Sequence, residues 1–126
     1  MIPVWLLALG IVGLNFTIWG LVGLDAAGYD WVGNRAEPIT FARATQLAAS
    51  HGVDVQFDPL SRSPWFRYTG AGGTDHEVWF ENAASAEAKR AVAASFGVRG
   101  VFLWMFGPPD PALWATLAHS PPGGAR

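Results

Sequence analysis

The sequence predicts an α/β chain, and three consecutive segments carry that reading. Val78-Trp79-Phe80-Glu81-Asn82 alternates as a strand, Ser85 to Phe96 repeats as a helix closed by Gly97, and Gly100 to Gly107 is apolar on both faces. A strand with no polar face needs cover on both sides, which a βαβ passage in a parallel sheet provides. Trp104 falls near the carboxyl end of the last strand. Ligands of α/β sheets and barrels gather at those ends, so a large flat ring there is either a platform for a sugar or base, or core filling.

From the amino terminus, Met1 to Leu24 carries no charged residue. An apolar run of about 20 residues is long enough to cross a bilayer, and Trp5 and Trp19 fall where interfacial aromatics would sit. Gly10, Gly13, Gly20 and Gly23 weaken a soluble helix but are common in spanning ones. Residues 1–20 therefore read as an apolar helix, with 3–20 as a membrane anchor, or as a stretch belonging to no domain. The first reading expects a membrane-associated or extracytoplasmic protein. The lack of Lys or Arg ahead of the run argues against a cleaved signal peptide. Leu21 to Ala27 reads as a strand.

Trp31 to Pro38 is rich in Gly, Asn, Glu and Pro and reads as a loop. Thr40 caps a helix whose apolar side is Phe41, Ala44, Leu47 and Ala48, with Gly52 as its stop. Val53 to Phe57 alternates as a half-exposed strand. Trp65 to Thr69 and Asp75 to Glu81 form a hairpin across the glycine-rich Gly70 to Thr74. Alternation places His76, Val78 and Phe80 on one face and Trp65, Trp79 and Glu81 on the other. A Trp with a carboxylate on an outer face suits carbohydrate, because the C–H face of a pyranose packs on an aromatic ring while an acid accepts hydroxyl hydrogen bonds. The same residues also suit a cross-strand aromatic pair that only stabilises the sheet.

Asn82 or Ser85 caps the next helix, with Ala84, Ala88, Ala91 and Val92 as its buried stripe and Glu87, Lys89 and Arg90 facing water. Asp110-Pro111 starts a last helix that turns Leu113, Trp114 and Leu117 inward. Residues 119–126, with Pro121-Pro122-Gly123-Gly124, read as a disordered tail.

Composition excludes several classes. Charged residues are 14% of the 126-residue chain and the net charge is −2, so there is no basic footprint for nucleic acid. With no cysteine, disulfides, thiolate metal sites and thiol nucleophiles are out. His51, His76 and His119 have no metal-ligand spacing. Neither a metal nor a cofactor is expected.

Four blocks, in order between Val22 and Leu117, carry a resemblance. They are Gly28-Tyr29-Asp30-Trp31; Ile39-Thr40-Phe41 with Ala44 and Leu47-Ala48; Ser63 to Tyr68 followed by His76 to Asn82; and Ser85 with Lys89, then Gly97 to Gly100 through Trp104 and Gly107 to Asp110-Pro111 and Trp114. They resemble the carboxyl-terminal part of family 18 glycoside hydrolases, the chitinase-like barrels, in the bacterial branch of spore-cortex enzymes and polysaccharide-deacetylase fusions. The resemblance implies that residues 21–118 are a partial (β/α)8 barrel, its last two strands and helices, with 39–81 as a small α+β insertion walling the substrate cleft. A whole barrel needs about 250 residues.

It further implies an amino-sugar polysaccharide or oligosaccharide as partner, with Trp104, Tyr29, Asp30, Trp31, Trp79 and Glu81 as substrate-binding residues. The family cleaves β-linked N-acetylglucosamine polymers with one protonated Glu, the substrate's own acetamido oxygen acting as nucleophile. The family's Asp-x-x-Asp-x-Asp-x-Glu motif and its Met-x-Tyr-Asp segment do not occur in these 126 residues, and Ala27 stands where the family has an aromatic residue. No catalytic residue is therefore expected in this chain, which reads as a truncated hydrolase domain inactive alone or, alternatively, as a noncatalytic carbohydrate-binding module. Two parallel strands without companions leave unpaired edges, which predicts self-association.

Overall fold

The computed structural model describes residues 21–25, 28–98, 100–104 and 108–118, and at 21–25, 101–104 and 117 the description is of the backbone. The elements are β1 (Leu21–Asp25), β2 (Gly28–Val32), β3 (Arg35–Ile39), α1 (Phe41–Ser50), β4 (Gln56–Asp58), β5 (Ser63–Thr69), β6 (Asp75–Trp79), α2 (Ala83–Ser95), β7 (Gly100–Trp104) and α3 (Ala112–Ala118). They form two sheets. β1 and β7 are a parallel pair, in register from Leu21 opposite Gly100 to Asp25 opposite Trp104. The second is an antiparallel sheet in the order β3-β2-β6-β5-β4.

The βαβ passage expected from Val78 to Gly107 does not form: β6 is paired within the antiparallel sheet, and β7 pairs in parallel with β1, far earlier in the sequence, with α2 packed on both and on α3. The predicted apolar helix over 1–20 and the tail over 119–126 lie outside the described residues. Among the described residues no helix is long and apolar enough to cross a membrane.

The segment from Trp31 to Pro38, expected as a loop, is instead a hairpin. Gly33 sits at φ +59 in its two-residue turn, a conformation that lets the strands reverse with the right-handed twist of the sheet. Pro38 is accommodated because β3 is an edge strand, where a missing N–H costs no ladder bond. The expected strand Val53–Phe57 is shortened to Gln56–Asp58, with Val55 and Phe57 exposed.

α1 follows its sequence closely. Thr40 is the N-cap and its hydroxyl accepts from the Arg43 N–H at 3.2 Å. Ala44, Leu47 and Ala48 are its buried residues, and they close on Phe66, Tyr68, Val78 and Phe80 of the sheet to form the core. Gly52 lies at φ +62 just past the helix. Gly28 meets this core edge-on, because a Cβ there would lie 2.9 Å from the Phe80 Cβ and 3.1 Å from the Ile39 carbonyl oxygen.

α2 departs from its sequence reading. Its cap is Asn82, in a reciprocal box with Ser85. The buried residues are Ser85, Ala86 and Ala93, while Val92 is 52% exposed. An alanine-rich helix has no dominant apolar face of its own, so its packing partners choose the stripe. In α3, Leu113 is buried as expected and Trp114 is exposed. The Asp110 carboxylate ties the two helices together, accepting the Ala83 N–H at 2.8 Å and the Ala112 N–H at 3.0 Å.

Candidate functional site

Because side chains alternate along a strand, the antiparallel sheet has one face under α1 and one turned away from it. The face away from α1 is aromatic. On β2, Tyr29 lies opposite Trp79 and Trp31 opposite Glu77; on β5, Trp65 lies opposite Trp79 and Arg67 opposite Glu77. Trp65 and Trp79 stack with centroids 5.4 Å apart and planes 15° from parallel. The Arg67 guanidinium sits 5.3 Å from the Trp65 ring centre. Glu77 accepts the Trp79 indole N–H on Oε1 at 2.6 Å and the Arg67 Nε–H on Oε2 at 2.8 Å.

Tyr29, Trp31, Trp65 and Trp79 are all half-buried. Together they make a ring-rich, amphipathic surface suited to contact with the apolar face of a sugar ring, with a cation and a carboxylate among the rings. The Trp31 indole N–H is buried without a hydrogen-bond partner.

Asp30, expected beside Tyr29 and Trp31, is on the other face, opposite the fully buried Val78. Its carboxylate accepts the Tyr68 hydroxyl at 2.7 Å on Oδ2 and meets His76 Nδ1 at 2.9 Å on Oδ1. The phenol of Tyr68 is also 3.0 Å from His76 Nδ1, and its ring stands between the rings of His51 and His76, each 4.4 Å away. Burial first, and then the hydrogen bond to Asp30, push the Tyr68 phenol up to about 12. This cluster pins β2, β5 and β6 beneath the aromatic face; it does not belong to it.

Glu81, expected on the aromatic face, lies past the end of β6 and is held by α2. It pairs with Lys89, accepts the Ser85 hydroxyl at 2.5 Å and is 3.5 Å from the Ser63 hydroxyl. Lys89, expected to face water, also donates to Ser63 at 2.8 Å. At the carboxyl end of β7, Trp104 lies in register with Asp25 at the end of β1; its ring is outside the description.

The residues missing from the sequence-level site are Glu77 and Arg67. The signal was available, since Glu77 precedes Trp79 by two positions on one strand and so must share its face. A separate open apolar groove of about 460 Å³ is lined by Phe41, Ala42, Thr45, Gln46, Pro108, Pro109 and Pro111, none of them a predicted site residue. Among the described residues no group of three or more His, Cys, Asp or Glu could hold a metal ion.

A parallel pair under α2 beside an aromatic-faced antiparallel sheet is an α/β arrangement, and chitinase-like proteins of known structure share it. The chain is 33% identical over 104 residues to the cortical fragment-lytic enzyme of Bacillus subtilis (strain 168), covering 78% of this chain and 24% of that protein. It superposes on the spore cortex-lytic enzyme SleL of Bacillus megaterium QM B1551 with a TM-score of 0.71 at 35% identity, covering 78% of this chain and 24% of that one. It superposes equally on a chitinase from Chromobacterium violaceum ATCC 12472, with a TM-score of 0.71 at 32% identity, over 78% of this chain and 31% of that one. No family model matches the sequence. Over 78% of its length the chain is thus similar to spore cortex-lytic enzymes and to chitinases alike, as a segment of a chitinase-like glycosidase domain. It spans about a quarter of the length of the curated relatives it matches.

Proposed function

We propose that this chain is the closing part of a glycoside hydrolase domain acting on a polysaccharide that contains N-acetylglucosamine, and that its own share of the work is to bind the sugar chain. In this reading β1 and β7 are the last two strands of a (β/α)8 barrel, and their open edges accept further parallel strands. The antiparallel sheet is a wall of the cleft. The observation that carries the reading is the aromatic face of Tyr29, Trp31, Trp65 and Trp79, built on a sheet that leaves the carboxyl end of β1 after only two intervening residues.

Its chemistry follows from that surface. The indoles and the Tyr29 phenol offer apolar ring surface for pyranose rings, and Trp104 is the one further aromatic residue proposed for binding, from the strand end where barrel ligands gather. Proton donation to the glycosidic oxygen requires a carboxyl group raised in pKa and set against the scissile bond. The family's Asp-x-x-Asp-x-Asp-x-Glu sequence is absent from these 126 residues, and Glu81 is occupied by Lys89 and Ser85. This chain therefore binds, and the acid comes from outside it.

The test is a titration of the chain with N,N′,N″,N‴-tetraacetylchitotetraose, following tryptophan fluorescence. Saturable quenching is expected, with affinity lowered about tenfold or more in Trp79→Ala and in Trp104→Ala, each of which removes an aromatic contact. Absence of any saturable signal would refute the binding role. Hydrolysis of the oligosaccharide by this chain alone would refute the assignment of the acid elsewhere.

A further inference from the structure

Glu77, an acid near the expected cleft that is not counted among the substrate-binding residues, bonds both Trp79 and Arg67 on the aromatic face. We infer that Glu77 is a positioning residue that sets the plane of the Trp65–Trp79 stack and so presets the sugar platform. This deepens the binding role proposed above and rests on it for its meaning, though not for its test.

The argument begins with register. Strand β6 reads Asp75-His76-Glu77-Val78-Trp79, so Glu77 and Trp79 project from the same face two residues apart. Across the ladder, Trp79 is opposite Trp65 and Glu77 is opposite Arg67. Four side chains thus occupy the corners of one cell of the sheet. Each is joined to the next: Trp79 donates its indole N–H to Glu77, Arg67 donates its Nε–H to the other oxygen of Glu77, the Arg67 guanidinium stands over Trp65, and Trp65 stacks on Trp79. The carboxylate is the only member that holds both adjacent corners, Trp79 and Arg67, by directed bonds.

An indole in a half-open position has a broad, nearly two-fold preference about its χ2 bond, so its ring plane is not fixed by covalent geometry. Stacking alone leaves the ring free to slide and tilt. A charge-assisted bond to the single N–H removes that freedom, because the donor has one position on the ring and one direction. The bond has a second effect. It commits the indole N–H within the sheet, so Trp79, stacked on Trp65, has only apolar ring surface and no free donor to offer a ligand.

This arrangement does little for stability. The Arg67 side chain is 71% exposed and that of Glu77 is 35% exposed, and ion pairs so placed contribute little to folding. A residue that is structurally cheap yet fixes the orientation of the principal aromatic pair acts on the ligand surface, with the fold indifferent to it.

Two readouts on the intact chain test the inference. Two indoles stacked at this spacing couple their electronic transitions and give a paired positive and negative band in circular dichroism, which Trp79→Phe must abolish. Glu77→Ala is expected to collapse that paired band while leaving the melting temperature nearly unchanged, and Glu77→Gln, which retains an acceptor for the indole, is expected to restore most of it. In the chitotetraose titration Glu77→Ala weakens binding about fivefold, on the order of one mispositioned aromatic contact. A paired band of undiminished amplitude in Glu77→Ala overturns the inference. If the parent chain shows no saturable binding, the binding proposal fails, and the dichroism of Glu77→Ala still decides the role of Glu77.

Discussion

Replacing Glu81 separates an anchor from a sugar contact. As a ligand carboxylate on an open face, Glu81→Ala would lower oligosaccharide affinity and leave stability alone. The structure predicts the reverse. The Glu81 side chain is 15% exposed and Lys89 is 29% exposed, so the pair lies between the surface and the interior. Breaking a fully buried pair costs about 3–5 kcal/mol and an exposed one contributes about 0–1 kcal/mol. The partial exposure of Lys89 moves the expectation well below the buried limit, while loss of the shorter of the two bonds from the fully buried Ser85 hydroxyl, which keeps the Asn82 carbonyl at 3.0 Å, adds modestly to it. A loss of roughly 2–3 kcal/mol follows, a fall in melting temperature of about 10 °C for a domain of this size.

The assay is thermal unfolding of the parent, Glu81→Ala, Lys89→Ala and the double variant, with a chitotetraose titration on each that remains folded. The double variant should be milder than the sum of the singles, because removing both charges leaves neither stranded. A melting temperature within about 1 °C of the parent, together with weakened sugar binding, would refute the anchoring role and return Glu81 to the site.

Two further outcomes follow from the core. The Tyr68 phenol, pushed up to about 12, is neutral in both folded and unfolded chains below its ordinary value near 10. Its contribution is therefore fully present below about pH 10 and is lost as pH rises toward 12, a total of roughly 2–3 kcal/mol. Ultraviolet titration of the two tyrosines should show one phenolate forming only near pH 12, and that step should vanish in Tyr68→Phe; ionisation of Tyr68 near 10 would contradict the burial argument. Gly28→Ala would place a Cβ 2.9 Å from the Phe80 Cβ, at the point where β2 enters the core. Urea unfolding should show a loss of about 1–3 kcal/mol, the usual cost of overpacking, and a neutral result would mean that β2 can shift at that end.

Several parts of this protein were legible from residues in sequence. The α1 helix, with Thr40 at its start, Gly52 past its end and Ala44, Leu47 and Ala48 inward, is a local object whose cap and stripe lie within one short window. The β5–β6 hairpin and the shared face of Trp65 and Trp79 follow from alternation alone. The four blocks that resemble chitinase-like barrels were legible too, since order and spacing survive in a linear string.

Tertiary structure decided what depends on partners distant in sequence. Pro38 and Gly33 read as loop signals until the sheet makes β3 an edge, where a proline is tolerated. Asp30 sits between two site-like aromatics in sequence, but strand geometry turns it under the sheet, where Tyr68 and His76 hold it. Glu81 resembles a cleft acid until α2 brings up Lys89 and Ser85. A residue's type and spacing fix what it is able to bond; which of those bonds form is set by what the rest of the chain brings within about 3 Å, and that distance is a property of the fold.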